Sequence, residues 1–299
     1  MMKKIFGLTF LALVGVAIWY LGIKKADYIY MFSEKTSTGT LFYTISNWDK
    51  ASTQVNTQTI DSSLYKQLTQ KLFYKGKHYI LYWDLKNVND SITSVSVGIK
   101  EPNHSLYNRI TAPFAATEFK RQIIAFLTDF KTVLSKNLST FKVDIVGRSF
   151  TPKKSCACVN VTTTPKDKAS QMMRYYNYIN EYIITHKLES DGYPMVVINA
   201  FDKQSNRIDM DFCFPVSGVI SLPKSERIYF KKLSAQPALK AVFNGNYMYS
   251  HQGWYKLYDY AENHDLELTT KIVEQFYNNP NMGGNALKWK TEIYMPIAQ

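Results

Sequence analysis

The chain has 299 residues, of which 45% are hydrophobic and 15% aromatic, and its formal net charge is +12. This composition excludes an intrinsically disordered protein and predicts packed cores, with room for two domains. Because the lysines are spread along the chain rather than clustered, the charge indicates a solvated basic surface, and we expect no nucleic-acid partner.

An apolar run at residues 5–23 opens the chain, with Thr9 as its polar exception and lysine pairs on either side. A helix of this length would just cross the hydrocarbon core of a bilayer. No small-residue cleavage site follows the run, which favours an anchor over a cleaved signal peptide. We therefore predict a transmembrane anchor at residues 1–26, lipid-bilayer contact through residues 5–23, and a single-pass location in a bacterial inner membrane. Lysines on both sides leave the orientation open.

Residues 27–140 have the pattern of an antiparallel sheet closed by a long helix. A strand at residues 27–35 precedes a short helix for which Thr38 is the candidate N-cap. Strand-like runs follow at residues 52–59, 67–74, 77–85 and 91–100, and apolar spacing predicts an amphipathic helix at 113–138. This order, with the segment from Gly39 to Trp48, resembles the helix-grip plan of the SRPBCC/START-like superfamily. The resemblance implies an apolar cavity between sheet and helix.

Residues 141–299 contain an internal repeat. Segments 207–216 and 289–297 each place an acidic residue four positions before a proline, Asp211 in the first and Glu292 in the second. Both segments read as strands whose acid lies on the face opposite to the flanking apolar residues. An acid in the middle of an apolar strand is costly unless water, a donor or a cation meets it. The repeat therefore predicts two related half-domains with carboxylates in equivalent places.

Each half-domain reads as a strand-helix-strand-strand unit, with helices predicted at residues 166–187 and 255–263. Such a unit cannot bury its sheet alone, so the two halves should pack side by side. The predicted fold class is α+β, with a transmembrane helix, a helix-grip antiparallel sheet domain at residues 27–140 and a two-repeat domain at residues 141–299.

The second half contains three short motifs: Gly245-x-Tyr247, His251-x-Gly253 and the run from Thr291 to Ile297. Together they resemble the GyrI-like domain, also called the AraC/Rob-type effector-binding domain. The resemblance implies a sheet, formed by the two repeats, that cradles a small-molecule pocket with the acid of the last motif at its floor. Glu292 occupies that position, and Tyr294 lies on the same face of its strand.

We therefore predict a ligand-binding site formed by Glu292, Tyr294, Tyr247, Trp254 and the repeat-equivalent Asp211. The aromatic side chains would supply contact area and cation–π attraction, and Glu292 would supply a counter-charge. The predicted ligand is an amphipathic, cationic organic molecule, and the protein is predicted to bind it rather than to be an enzyme.

Three alternatives stay open from the sequence. Glu292 could be the general base of a GyrI-like hydrolase or detoxifying enzyme, because fold does not decide function. It could equally be a strand carboxylate satisfied by a neighbouring lysine, with no role in binding. A partner-binding protein without a ligand would show a collapsed pocket.

Other chemistry finds little support in the sequence. Cys156 and Cys158 share a strand face and Cys213 could approach them, but zinc sites use other spacings, so we predict three buried cysteines of small hydrophobic character. The histidines are scattered, and no phosphate-binding, dinucleotide-binding or serine-nucleophile motif is present. We therefore expect no metal, no cofactor and no catalytic residue.

Overall fold

The computed structural model describes residues 2–48 and 55–298. Within them the chain divides into two units, the first made of residues 1–88 and 92–135 and the second of residues 89–91 and 136–299. The predicted domain bounds at residues 26 and 140 stay a prediction.

The N-terminal apolar run does not form a membrane-spanning helix. Helix α1 covers Met2–Ile18, and the wider turns of a π-helix continue it over Trp19–Ile23. The α-helical part has 17 residues, about 26 Å at about 1.5 Å per residue, and the regular helix is replaced by π-helical turns before the apolar run ends. Among the described residues, no helix is both long enough and apolar enough to cross a membrane. The predicted transmembrane anchor and its single-pass inner-membrane location are therefore wrong, and the predicted contact with a lipid bilayer through residues 5–23 is not shown.

The first unit contains a sheet in the order β1-β5-β4-β3-β2. Its elements are β1 (Tyr28–Glu34), α2 (Thr38–Ser46), β2 (Asn56–Ser63), β3 (Gln67–Tyr74), β4 (Lys77–Asn89), β5 (Ile92–Lys100), α3 (Ser105–Thr111) and α4 (Glu118–Leu138). Ser37, rather than the expected Thr38, caps α2 by accepting a hydrogen bond from the backbone N–H of Thr40. The expected start of β2 at residues 52–54 lies outside the described residues. The likeness to the SRPBCC/START-like superfamily stays a prediction.

Helix α4 packs on this sheet through the apolar stripe expected from the sequence. Phe119, Ile123, Phe126, Leu127, Phe130 and Leu134 are all buried. The Phe130 ring lies 5.2 Å from that of Trp48 and 5.4 Å from that of Trp83, measured between centroids. Spacing of three and four residues puts the stripe on one helix face, which is why the core of this unit forms there.

The second unit contains a sheet in the order β11-β7-β10-β9-β13-β14-β12-β6, with β8 pairing to β10. Its elements are β6 (Phe141–Phe150), β7 (Lys154–Thr163), α5 (Lys168–Thr185), β8 (Glu189–Ser190), β9 (Met195–Asp202), β10 (Arg207–Ser217), β11 (Tyr229–Leu233), β12 (Pro237–Gly245), α6 (Gln252–Asn263), β13 (Ile272–Phe276) and β14 (Lys290–Pro296). The α+β, antiparallel part of the predicted fold class agrees with this structure.

The two repeats meet where β9 pairs with β13. In the first repeat β10 lies between β7 and β9, and in the second β14 lies between β13 and β12. The strands that carry Asp211 and Glu292 therefore occupy equivalent positions in the sheet. Strand alternation separates two faces: Ile293 and Met295 belong to the core beneath α5 and α6, whereas Tyr294 belongs to an apolar cluster on the opposite face.

Gly253, from one of the recognised motifs, lets α6 approach the sheet closely. A Cβ atom at this position would lie 2.3 Å from Cδ1 of Ile293 on β14. Any larger residue would therefore push the helix away from the strand or distort Ile293. This contact explains the glycine by packing rather than by ligand binding.

Candidate functional site

A cavity of about 440 Å³ lies in the second unit on the helix side of the sheet. Helix α5 forms one wall, and Phe212 on β10 and Phe276 on β13 form the base. The remaining walls come from the turn around Met248 and from the segment after β13. Among the described residues, the aromatic side chains that line it are Tyr176, Tyr193, Phe212, Tyr247, Phe276, Tyr277 and Trp289.

The rest of the lining is soft or polar but not charged. The methionines are Met172, Met173, Met248 and Met282, and the asparagines are Asn246, Asn278, Asn279 and Asn281. Methionine side chains adapt their shape to a ligand, and amides both donate and accept hydrogen bonds. None of the described residues in this lining carries a formal charge. The cavity therefore suits a largely apolar molecule that bears a few hydrogen-bonding groups.

Tyr247 is the predicted site residue that the structure places in this cavity. Its ring packs 4.7 Å from the Phe276 ring and 5.8 Å from the Trp289 ring. Its hydroxyl donates to the carbonyl of Asn278 at 3.1 Å and accepts from the backbone N–H of Asn278 at 2.8 Å. Burial raises the pKa of Tyr247 to about 12, so the phenol stays protonated. The hydroxyl is therefore engaged in holding the wall, and the ring is the part that a ligand can contact.

Trp254, predicted as an aromatic wall, is instead buried in the core of the second unit. Its indole Nε1–H donates to Oε1 of Glu274 at 2.8 Å, and its ring packs on Phe201. It lies behind the cavity and does not belong to its lining. The spacing of the motif could not show this, because the side-chain direction depends on how α6 packs on the sheet.

Glu292 lies with Tyr294 on the face of the sheet away from the helices. Its Oε2 accepts hydrogen bonds from the hydroxyls of Tyr294 at 2.6 Å and Tyr277 at 2.8 Å. The ammonium of Lys240 is 3.0 Å from Oε2, and that of Lys290 is 2.7 Å from Oε1. This is the alternative of a strand carboxylate satisfied by neighbouring lysines.

Glu292 is consequently not an unpaired anion. Burial disfavours ionisation of the carboxyl, but hydrogen bonds from Lys290, Tyr294, Tyr277 and Lys240 lower its pKa to about 2. The carboxylate with its two ammonium partners carries a formal charge of +1. An electropositive cluster of this kind would not attract a cation by simple counter-charge.

Tyr277 links this cluster to the cavity. Its ring lines the cavity and lies 4.7 Å from the Tyr193 ring, while its hydroxyl donates to Glu292. Burial, and then the hydrogen bond to Glu292, raise the pKa of Tyr277. Glu292 therefore reaches the cavity wall through Tyr277 rather than by lining it.

Asp211 occupies the equivalent place in the first repeat and is also saturated. It accepts from Asn160 at 2.8 Å and from Asn199 at 3.0 Å, and it forms an ion pair with Lys231. Burial opposes ionisation, but hydrogen bonds led by that from Lys231 lower the pKa of Asp211. Asp211 and Glu292 therefore have the same kind of environment. Each is a buried carboxylate that is bound by lysine and polar donors, and neither lines the cavity.

A buried ion pair that was not predicted from the sequence lies behind the cavity. Lys168, at the start of α5, forms a salt bridge with Glu274 on β13, and both side chains are fully buried. A signal was available, since Glu274 directly follows the apolar pair Ile272 and Val273 in the strand Ile272–Phe276, where a buried acid requires a partner. The identity of that partner could not be read from sequence, because Lys168 is 106 residues away.

The cysteines differ from the expectation in one respect. Cys158 and Cys213 are cross-strand partners on β7 and β10 and form a disulfide, whereas Cys156 is a free, buried thiol. The prediction of three unpaired cysteines is therefore wrong for two of them, because strand register brings the two sulfur atoms together. Within the described ranges, no group of three or more His, Cys, Asp or Glu side chains is arranged to hold a metal ion.

Comparison with known proteins finds one family model and several distant structural neighbours. Residues 152–298 match the model of the GyrI-like small molecule binding domain. Similar solved structures include the EcmrR C-terminal domain, with 15% identity over 53% of this chain and 98% of that chain and a TM-score of 0.45. A hydrolase encoded by lin2189 from Listeria innocua has 14% identity over 56% of this chain and 98% of that chain, with a TM-score of 0.35. SAV2435 bound to tetraphenylphosphonium has 11% identity over 53% of this chain and 93% of that chain, with a TM-score of 0.32.

No curated protein matches the chain. The structural likenesses are too distant to transfer a ligand or a reaction, so the assignment rests on the family match and on the repeat described above. The C-terminal part of this chain, residues 152–298, belongs to the GyrI-like family of small molecule binding domains.

Proposed function

We propose that the second unit captures an amphipathic organic molecule in the 440 Å³ cavity between α5 and the sheet. The observation that carries this proposal is the concentration of aromatic and methionine side chains in an uncharged lining. Cavities of this size and composition are typical of small-molecule sites. Rings supply most of the contact area, and the asparagines near residues 278–281 supply hydrogen bonds to a polar group.

The predicted positive charge of the ligand depends on the ring faces rather than on Glu292. A delocalised cation gains about 0.5–2 kcal/mol over an aromatic face, depending on how far it is desolvated. Glu292 is committed to Lys240 and Lys290, so it offers no unpaired counter-charge. In this proposal, any preference for a cationic ligand comes from cation–π attraction alone. Comparing the affinity of a cation with that of its neutral analogue tests this point.

The hydrolase alternative has weaker support. A general base works best when its pKa lies near the operating pH. The pKa of Glu292, lowered to about 2, makes this carboxylate a poor base at neutral pH. Binding without chemistry is therefore the function that we propose.

The test uses acridine and N-methylacridinium, which share a ring system and differ in charge at neutral and mildly alkaline pH, where acridine is unprotonated and N-methylacridinium has not added hydroxide. Fluorescence titration of the full-length protein with each gives a dissociation constant. Replacing Tyr176, which lines the cavity, by alanine should weaken both by about tenfold, the scale of one lost aromatic contact.

The matched control is Tyr178→Ala, on the same helix but 41% exposed and outside the lining. It should bind both compounds as the unmodified protein does. Equal losses in the two variants, or no binding of either compound to the unmodified protein, would contradict the proposed site.

A further inference from the structure

The wall behind the cavity contains charges that the proposed binding contacts do not use. The Lys168 ammonium donates to Oγ of Ser250 at 2.7 Å and pairs with Oε2 of Glu274. It also lies 4.6 Å from the centre of the Trp254 ring. The other oxygen of Glu274, Oε1, accepts from the Trp254 indole. Both charged side chains are fully buried, so neither is screened by solvent at its own position.

This ion pair is separated from the cavity by a single layer of side chains. The Lys168 ammonium is 5.8 Å from the centre of the Phe276 ring, and that ring lines the cavity. The residues that follow Lys168 on α5, Ala169 and Ser170, line it as well. A charge placed inside the cavity would therefore interact with Lys168 and Glu274 through protein rather than through water, where the effective dielectric constant is low.

The charges behind the wall cancel. Lys168 and Glu274 together carry no formal charge. Burial, and then the nearby Lys168, lower the pKa of His251 to about 3, so this neighbouring imidazole is neutral as well. Hydrophobic residues of similar volume often stabilise a core as well as a buried ion pair does. Stability alone therefore does not explain why Lys168 and Glu274 are present here.

From this arrangement we propose that Lys168 determines the charge selectivity of the cavity by neutralising Glu274. The proposal rests on the cavity being the binding site. Glu274 alone would present a buried carboxylate one aromatic ring away from the ligand and would select organic cations. With Lys168 in place the wall is neutral, so an uncharged ligand is accepted and a cation gains only the attraction of the ring faces.

The decisive quantity is the ratio of the dissociation constants for N-methylacridinium and acridine. Lys168→Met keeps an unbranched side chain of similar length but removes the charge. This variant should shift the ratio by about tenfold or more in favour of the cation, the scale of two unit charges interacting across one ring in a protein interior. Glu274→Gln should shift it against the cation. The double variant should return to the unmodified ratio.

The conditions and controls follow from the chemistry. Titrations are run at neutral and at mildly alkaline pH, where N-methylacridinium stays cationic. An unpaired buried carboxyl ionises more readily at the higher pH, and an unpaired buried amine is protonated more readily at neutral pH. Lys166→Met removes an exposed lysine two residues away and should leave the ratio unchanged. Near-ultraviolet circular dichroism of each variant shows whether it is folded.

The outcomes separate this inference from the proposed function. If the unmodified protein binds neither compound, the cavity proposal fails and the inference fails with it. If both compounds bind with Tyr176-dependent affinity but the ratio is the same in folded Lys168→Met, the selectivity role of Lys168 is refuted while the binding site stands. Should Lys168→Met not fold, an unchanged ratio in Glu274→Gln refutes it equally.

Discussion

Glu292→Gln tests the account of the buried carboxylate directly. The substitution keeps size and shape but removes the negative charge that lies between Lys240 and Lys290. The two ammonium groups then face each other without compensation, and the hydroxyl of Tyr294 loses a charged acceptor. We expect the variant to fold but to have a lower free energy of unfolding.

The size of the effect follows from the pKa. Folding lowers the pKa of Glu292 from 4.5 to about 2. At about 1.4 kcal/mol per pKa unit, linkage gives an upper limit of about 3.4 kcal/mol. The side chains of Lys240 and Lys290 are 20% and 40% exposed, so solvent screening reduces this to about 1–2 kcal/mol. Because the folded-state pKa is lowered, the contribution is complete above the unfolded value of 4.5 and is lost as the pH falls towards 2.

The assay is urea denaturation of the unmodified and variant proteins at neutral pH and at acidic pH. The difference in unfolding free energy should be greatest at neutral pH and should shrink as the pH is lowered. Asp144→Asn is the matched control, because Asp144 is also a strand carboxylate paired with a lysine, Lys142, but both side chains are exposed. It should change stability by less than about 1 kcal/mol. A loss in Glu292→Gln that is independent of pH, or no loss at neutral pH, would refute the electrostatic account.

Two further predictions concern packing and covalent structure. Gly253→Ala should lower the free energy of unfolding by about 1–3 kcal/mol in urea denaturation, because its Cβ meets Cδ1 of Ile293 at 2.3 Å. Ile293→Val removes that atom, so combining the two substitutions should cost less than the sum of the single costs. Reducing the Cys158–Cys213 disulfide, which joins residues 55 apart, should lower stability by about 2–4 kcal/mol, seen as a lower melting temperature with reductant. A Cys156→Ser variant should show the same lowering of the melting temperature by reductant. If reductant no longer lowers the melting temperature of this variant, the Cys158–Cys213 pairing is contradicted.

Local sequence patterns were sufficient to predict the helices and strands named here and the internal repeat. Alternation in segments 207–216 and 289–297 predicted strands, and the structure has β10 and β14 there. The stripe from Phe119 to Leu134 predicted the buried face of α4. Periodicity of this kind is readable because side-chain direction within one strand or helix is fixed by backbone geometry.

Hydropathy alone was misleading at the N-terminus. A count of apolar residues at 5–23 reaches the length of a bilayer-spanning helix, but the α-helical part ends at Ile18. Counting residues assumes one rise per residue throughout, and the π-helical turn at Trp19–Ile23 does not obey that assumption.

By itself, the sequence determined the α+β elements, the two repeated halves, the family motifs and the equivalence of Asp211 and Glu292. Only the tertiary structure decided what those residues contact. Tyr277 brings its hydroxyl to Glu292 from the end of the neighbouring strand, and Lys168 reaches Glu274 from 106 residues away. Which sheet face the helices cover depends on packing between distant segments. That choice left Glu292 on the face away from the helices and placed Tyr247 in the cavity wall, because burial of the largest apolar area fixes the helix positions and local spacing carries no information about it.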